Sequence, residues 1–136
     1  MMKEKSQNQK LSRILIAVGF CLVMVGSFLL NYKKDYFFQE YGFGCVNVEN
    51  ERKGTFEIKE PTKVHFTFYS RAEGEMSVSL KDPSGADIFR TDEINFEEKK
   101  AMVLDPGVYS YDINYSGVKG DFELFGAVYK IFGFVF

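Results

Sequence analysis

The chain has 136 residues, 46% of them apolar and 17% aromatic, with no Trp and a formal net charge of −2. The charge is uneven: residues 31–136 carry 13 Lys and Arg against 18 Asp and Glu, a formal −5. So acidic a body argues against nucleic acid as a partner, because phosphate-backbone binding relies on clustered cations.

Residues 1–13 form a basic tail, with Lys3, Lys5, Lys10 and Arg13 against Glu4 alone. Ile14 to Leu30 then runs without one charged side chain. At about 1.5 Å per residue it spans roughly 25 Å, close to the roughly 30 Å of a bilayer core. The sequence therefore predicts a transmembrane signal-anchor helix over residues 14–32. The alternatives are a buried helix of a soluble protein and a secretory signal cleaved after Val25-Gly26-Ser27, but Phe28-Leu29-Leu30 follow where such a signal should turn polar. A lipoprotein signal needs a small residue before the cysteine, and Phe20 precedes Cys21.

Lys and Arg are in excess before the helix, and only Lys33 and Lys34 follow it, ahead of Asp35. The expected orientation is single-pass, with the N-terminus cytoplasmic and the C-terminal domain extracytoplasmic. Tyr32, Tyr36, Phe37 and Phe38 suit an interfacial aromatic belt. Ser12, Gly19 and Gly26, spaced by seven, fall near one helix face and offer a possible packing surface for a partner helix.

Residues 33–44 read as a juxtamembrane linker and 45–136 as an extracytoplasmic β-sandwich domain. Cys21 lies at bilayer depth and Cys45 outside it, so no disulfide between them is expected.

Past Gly42 there is no sustained helical period. Lys63–Ser70 alternates, with Val64, Phe66 and Phe68 on one face and His65, Thr67 and Tyr69 on the other. Glu75–Lys81 places Met76, Val78 and Leu80 inward and two serines outward. Asp82-Pro83-Ser84-Gly85 suits a tight turn, followed by a short strand at Asp87–Arg90. Lys100–Leu104, Val108–Tyr115 and Asp121–Ile131 are further strands, with turns at Asp105-Pro106-Gly107 and around Ser116-Gly117 and Gly120. Val108–Tyr115 carries Tyr109, Tyr111, Ile113 and Tyr115 on one face. Val46–Glu49 and Thr55–Ile58 are weaker candidates, and Thr91–Lys99 reads as a loop. The closing run Ile131–Phe136 is nearly all apolar, and the expectation is a final strand extending the preceding one, or docking on the membrane surface or a partner. The fold class is all-β: a jelly-roll-like antiparallel β-sandwich of about eight strands behind one N-terminal transmembrane helix.

Two stretches carry a resemblance. Ser77–Phe89 (S-V-S-L-K-D-P-S-G-A-D-I-F) is followed by Met102–Gly126, with D-P-G-V-Y and then G-D-F-E-L-F-G. This pattern resembles bacterial pre-peptidase C-terminal (PPC-like) domains and the GOLD domain of Golgi-trafficking cargo receptors, both jelly-roll-like sandwiches. It covers Lys63 to Gly126 and rests on Pro83, Gly85, Pro106, Gly107, Tyr109, Phe122 and Leu124. The resemblance implies binding, processing or assembly outside the cytoplasm rather than catalysis. Fold alone does not specify function.

Catalytic chemistry is thinly represented. His65 is the single histidine, no nucleophile-elbow motif is present, and one His with one exported Cys cannot make a zinc set. Asp82-x-Ser84-x-x-Asp87 offers oxygen ligands but lacks the closing Glu of an EF-hand loop, and reads as a plain turn. No cofactor, metal site or catalytic residue is expected. Tyr69, Tyr111 and Tyr115 are the aromatics that could face a ligand, against core packing as the ordinary use of such rings.

The function expected from the sequence is a membrane-anchored, non-catalytic module that binds a protein, peptide or glycan, or serves as a subunit of a membrane assembly. The alternatives are a carboxylate-dependent enzyme acting on envelope polymers and a purely structural anchor. Partner contacts are expected through the helix or through the Phe-rich end.

Overall fold

A computed structural model describes residues 2–136, with side chains from Ser6 onward. The side chains of Lys3, Glu4 and Lys5, counted in the orientation argument, lie outside the described residues. Helix α1 (Met2–Asn31) is rich in Leu, Ile, Val and Phe and contains no Pro. Its window Ser6–Asn31 is long and apolar enough to cross a membrane, and none of it is buried against the rest of the chain. Asn31 Nδ2 donates to the Ser27 carbonyl at 2.8 Å and satisfies one of the carbonyls left open in the last turn. Around Gly19 and Gly26 nothing beyond the helix's own neighbourhood lies within 4 Å, so the small-residue face is uncovered.

The helix passes directly into strand β1 (Tyr32–Ile58). The other strands are β2 (Thr62–Lys81), β3 (Asp87–Thr91), β4 (Phe96–Leu104), β5 (Gly107–Ile131) and the two-residue β6 (Phe134–Val135). Hydrogen bonding runs in the order β1-β5-β2-β3, with β4 beside the first half of β2 and every pairing antiparallel.

The three long strands run unbroken through one antiparallel ladder that is bent double. Residues 32–42, 120–131, 62–72 and 96–104 form one layer, sheet I; residues 45–58, 107–118, 75–81 and 87–91 form the other, sheet II. The two layers face each other. Phe38 of sheet I lies 6.3 Å from Phe56 and 5.1 Å from Tyr111 of sheet II, and Phe68 stacks on Phe89 at 3.9 Å. The all-β sandwich expected from alternation is thus present, with four strand segments in each layer when the long strands are counted on each side of their bends, and the two-residue β6 beside them.

The bends are built into the backbone. Register slips between Gly42 and Asn50 on β1 and between Glu73 and Glu75 on β2. Gly74 and Gly120 adopt φ of +117° and +137°, and a Cβ on either would come within 2.5 Å of a neighbouring main-chain oxygen. Only glycine meets both demands at little cost.

Alternation fixes the core. Val64, Phe66 and Phe68 are buried as expected, as are Met76, Val78 and Leu80, and they meet Ile113, Val118, Phe122 and Leu124. Each such side chain contributes about 1.5–3 kcal/mol by leaving water. The turn at Asp82 is closed by Gly85 N donating to the Asp82 carbonyl at 3.0 Å.

Three local expectations are corrected. Residues 33–44 are not a linker but the first half of β1, with Phe38 and Glu40 buried; a bulge between Tyr36 and Phe38 scrambles the alternation there. Strand β4 starts at Phe96, so the loop shrinks to residues 92–95. The closing run does not extend β5 but turns back on it as a hairpin at Phe132-Gly133, both at positive φ, pairing Ile131 with Phe134 and Lys130 with Val135.

Candidate functional site

The outer surface of sheet II is the most developed recess of the molecule. Over residues 51–55, 77–81 and 110–116 of its three long strands every second residue points away from the core, and those residues are small or polar. The pairing sets them in rows: Glu51, Asn114 and Ser77; then Lys53, Asp112 and Ser79; then Thr55, Ser110 and Lys81. Short side chains leave a trough. Its far part, beside the bends, is a cavity of about 830 Å³ roofed on one side by Asp92 and Ile94 of the 92–95 loop. The adjoining part, at the second and third rows, is a cavity of about 500 Å³.

The two parts differ in charge. Glu49, Glu51, Glu75 and Asp92 line the larger cavity, together with Asn50, Asn114, Ser77 and Ser116, and no Lys or Arg lines it. The smaller one holds Lys53 and Lys81. Lys53 Nζ lies 3.6 Å from Asp112 Oδ2, and Asn114 Nδ2 donates to Asp112 Oδ1 at 2.8 Å, so Asp112 is already engaged. The trough therefore offers an acidic end, hydroxyl and amide groups along its floor, and a neutralised middle.

Among the described residues Glu40 is the one buried acid. Its Oε1 lies 3.2 Å from Arg52 Nη1, and its Oε2 accepts from the Tyr115 hydroxyl at 3.2 Å. Burial, foremost, holds the Tyr115 phenol above its ordinary range; Asn50 works against this and the Glu40 charge adds to it. The Arg52 side chain is about half exposed, so the pair is screened on one side. This cluster joins sheet I to sheet II by charge and hydrogen bonds.

The aromatics proposed from sequence do not share a face. Tyr69 lies on the outer surface of sheet I. Tyr111 and Tyr115 point inward: Tyr111 packs on Phe38 and lies over Gly54, and Tyr115 packs on Phe122 at 5.0 Å. They cannot form one outward platform with Tyr69. The alternation of Val108–Tyr115 already placed Tyr111 and Tyr115 with the buried Ile113, and the same count placed Ser110, Asp112 and Asn114 outward. That count is the signal for the trough, and Ser77 and Ser79 are the two serines that alternation over Glu75–Lys81 turns outward beside it.

Other candidates resolve locally. His65 Nε2 lies 3.1 Å from the Phe136 main-chain oxygen, and its ring sits 4.5 Å from that of Tyr129. Asp82 Oδ1 accepts from the Ser84 hydroxyl at 2.6 Å and from the Ser84 and Ala86 amides at 2.9 and 3.0 Å. These bonds, the Ser84 hydroxyl foremost, hold the Asp82 carboxyl below its usual range. Its oxygen is spent on the turn. Cys21 and Cys45 are both free. Among the described residues no group of three or more His, Cys, Asp or Glu is placed to hold a metal ion.

No protein-family model matches the chain, and no curated protein matches it either.

Proposed function

We propose that the chain is a single-pass, membrane-anchored binding module, with residues 1–13 in the cytoplasm and the sandwich displayed outside, and that the trough of sheet II holds its ligand. The observation that carries this reading is the trough itself: a polar, acid-ended recess on a sandwich whose interior is filled with aromatic rings. Catalysis by a carboxylate pair would need two acids sharing a water-poor cleft, and Glu40 is instead neutralised by Arg52 and Tyr115. The charge pattern and the row of hydroxyl and amide groups suit a polypeptide segment bearing Lys or Arg, held non-covalently. The PPC-like and GOLD-like pattern of turns and core residues supports the same class of role. The basic tail before α1 supports the orientation.

A photo-crosslinking residue at Ser79 tests the reading in native membranes. It should capture a discrete partner, and the same residue at Val103, on β4 of sheet I, should not. Equal capture at both positions, or none at Ser79, would defeat it. Replacing Gly19 and Gly26 by Ile asks separately whether a partner helix uses α1; if the trough alone carries the partner, capture at Ser79 is unchanged.

A further inference from the structure

The β5–β6 hairpin returns to the helix. Phe132 N donates to the Asn31 carbonyl at 3.2 Å. The Phe132 side chain shares one apolar cavity of about 340 Å³ with Met24, Val25, Ser27 and Phe28. Met24 stands seven residues before the helix end, which at 1.5 Å per residue is about 10 Å back along the axis. The hairpin tip therefore lies beside the last two turns of α1, and whatever surrounds those turns surrounds the tip.

The tip is dressed for such a setting. Phe132, Phe134 and Phe136 are 56%, 78% and 46% exposed. Three such rings on one short hairpin beside a helix end form a contiguous apolar patch, which marks an interaction surface, whereas a single open ring such as Phe43 at the bends does not. Behind them Tyr32, Tyr129 and Phe136 form a ring cluster with centroids 6.1 to 6.4 Å apart. Of the nearby cations Lys33 is exposed, whereas Lys34 and Lys130 are engaged by neighbouring groups. Lys34 Nζ lies 4.2 Å from the Phe125 centroid and 5.1 Å from that of Tyr129, and Lys130 pairs with Asp35 at 3.2 Å. Rings at the hairpin tip with Lys33, Lys34 and Lys130 behind them match the order of acyl chain and headgroup at a bilayer surface.

We infer that the β5–β6 hairpin is a second membrane attachment, inserting Phe132 and Phe134 into the acyl–headgroup boundary and holding the sandwich at a fixed tilt on the bilayer. The inference rests on α1 being the membrane span proposed above. A helix alone leaves its domain free to swivel; a second contact point fixes which surface of sheet II faces outward.

The chain contains no Trp, so a single Trp serves as a reporter. The full chain is placed in phosphatidylcholine–phosphatidylglycerol vesicles with or without bromines on the upper acyl chain. Three variants are compared: Leu29→Trp in α1, Phe134→Trp in the hairpin, and Phe43→Trp at the bends. All three positions are well exposed, so none disturbs the core. The expected result is strong quenching of Leu29→Trp, quenching at least half as strong for Phe134→Trp, and none for Phe43→Trp. If Leu29→Trp is quenched while Phe134→Trp behaves like Phe43→Trp, the hairpin inference falls and the span remains. If Leu29→Trp is itself unquenched, the span is wrong and the inference falls with it.

Discussion

Sheets I and II are made largely from the same three strands, yet their outer surfaces have opposite chemistry. On sheet I the outward residues include Tyr36, His65, Phe125 and Tyr129, and Lys34 reaches across these rings rather than into solvent. On sheet II they are Ser77, Ser79, Ser110, Asp112 and Asn114, and a trough opens over them. The aromatic patch lies at the helix end of sheet I; toward the bends near Gly42, Gly74 and Gly120 its outward residues Glu97, Lys99, Glu123 and Arg71 are charged. One strand can thus serve two environments: the bend swaps which layer it belongs to, and its outward positions are free to change character there. An aromatic surface beside the helix and a hydroxyl surface on the other layer are the division expected of a domain that sits against lipid on one side and meets a ligand on the other.

That division depends on the two layers staying together, which gives the largest predicted effect. Phe68 stacks on Phe89 across the interface and is fully buried. Phe68→Ala should cost about 3–5 kcal/mol, read from urea denaturation of the purified chain. A loss under about 1 kcal/mol would mean that the layers do not pack as described.

Much of this arrangement was legible in the residues. Period-two alternation over Lys63–Ser70, Glu75–Lys81 and Val108–Tyr115 marks strands whose inward members are indeed buried, because a side chain on a pleated strand has only two directions to point. What was not legible was continuity. Gly117 and Gly120 look like a chain reversal, but pairing resumes beyond them, as it does beyond Gly74, and the strands bend instead. Lys33-Lys34-Asp35 looked like a polar linker; the bulge at Tyr36/Phe38 hides the pattern that would have revealed β1. The trough is a property of three neighbouring strands, and register between distant segments is not written in any one of them.

The bends supply the next prediction. Gly120→Ala would place a Cβ 2.5 Å from the Arg71 carbonyl oxygen at a φ of +137°. The cost should be about 1–3 kcal/mol, with both outer surfaces loosened together in hydrogen exchange. Loosening of sheet I alone would show that the layers fold independently.

A smaller effect probes the polar link between layers. Tyr115→Phe removes the hydroxyl donated to Glu40 and should cost about 0.5–1.5 kcal/mol. Combined with Glu40→Ala, the loss should be less than the sum of the two, because both substitutions remove one contact. Strict additivity would mean that the contact is not made.

The smallest effect is confined to the turn of sheet II. The Asp82 carboxyl has a lowered folded pKa, so its contribution to stability is present above its ordinary value and disappears as pH falls through the folded value. Asp82→Ala should melt slightly below the parent chain at neutral pH and equally with it under acid conditions where both forms are protonated. A gap that persists unchanged into acid would assign the effect to packing rather than charge.

The proposed arrangement has α1 spanning a membrane with the bent sandwich outside it. Thiol accessibility in intact cells addresses it directly. In a Cys45→Ala background, Lys119→Cys places a thiol at the exposed far bend, while Cys21 stays within α1. A membrane-impermeant maleimide should label Lys119→Cys in intact cells and leave Cys21 unlabelled. Labelling of Lys119→Cys only after the cells are broken would contradict the account.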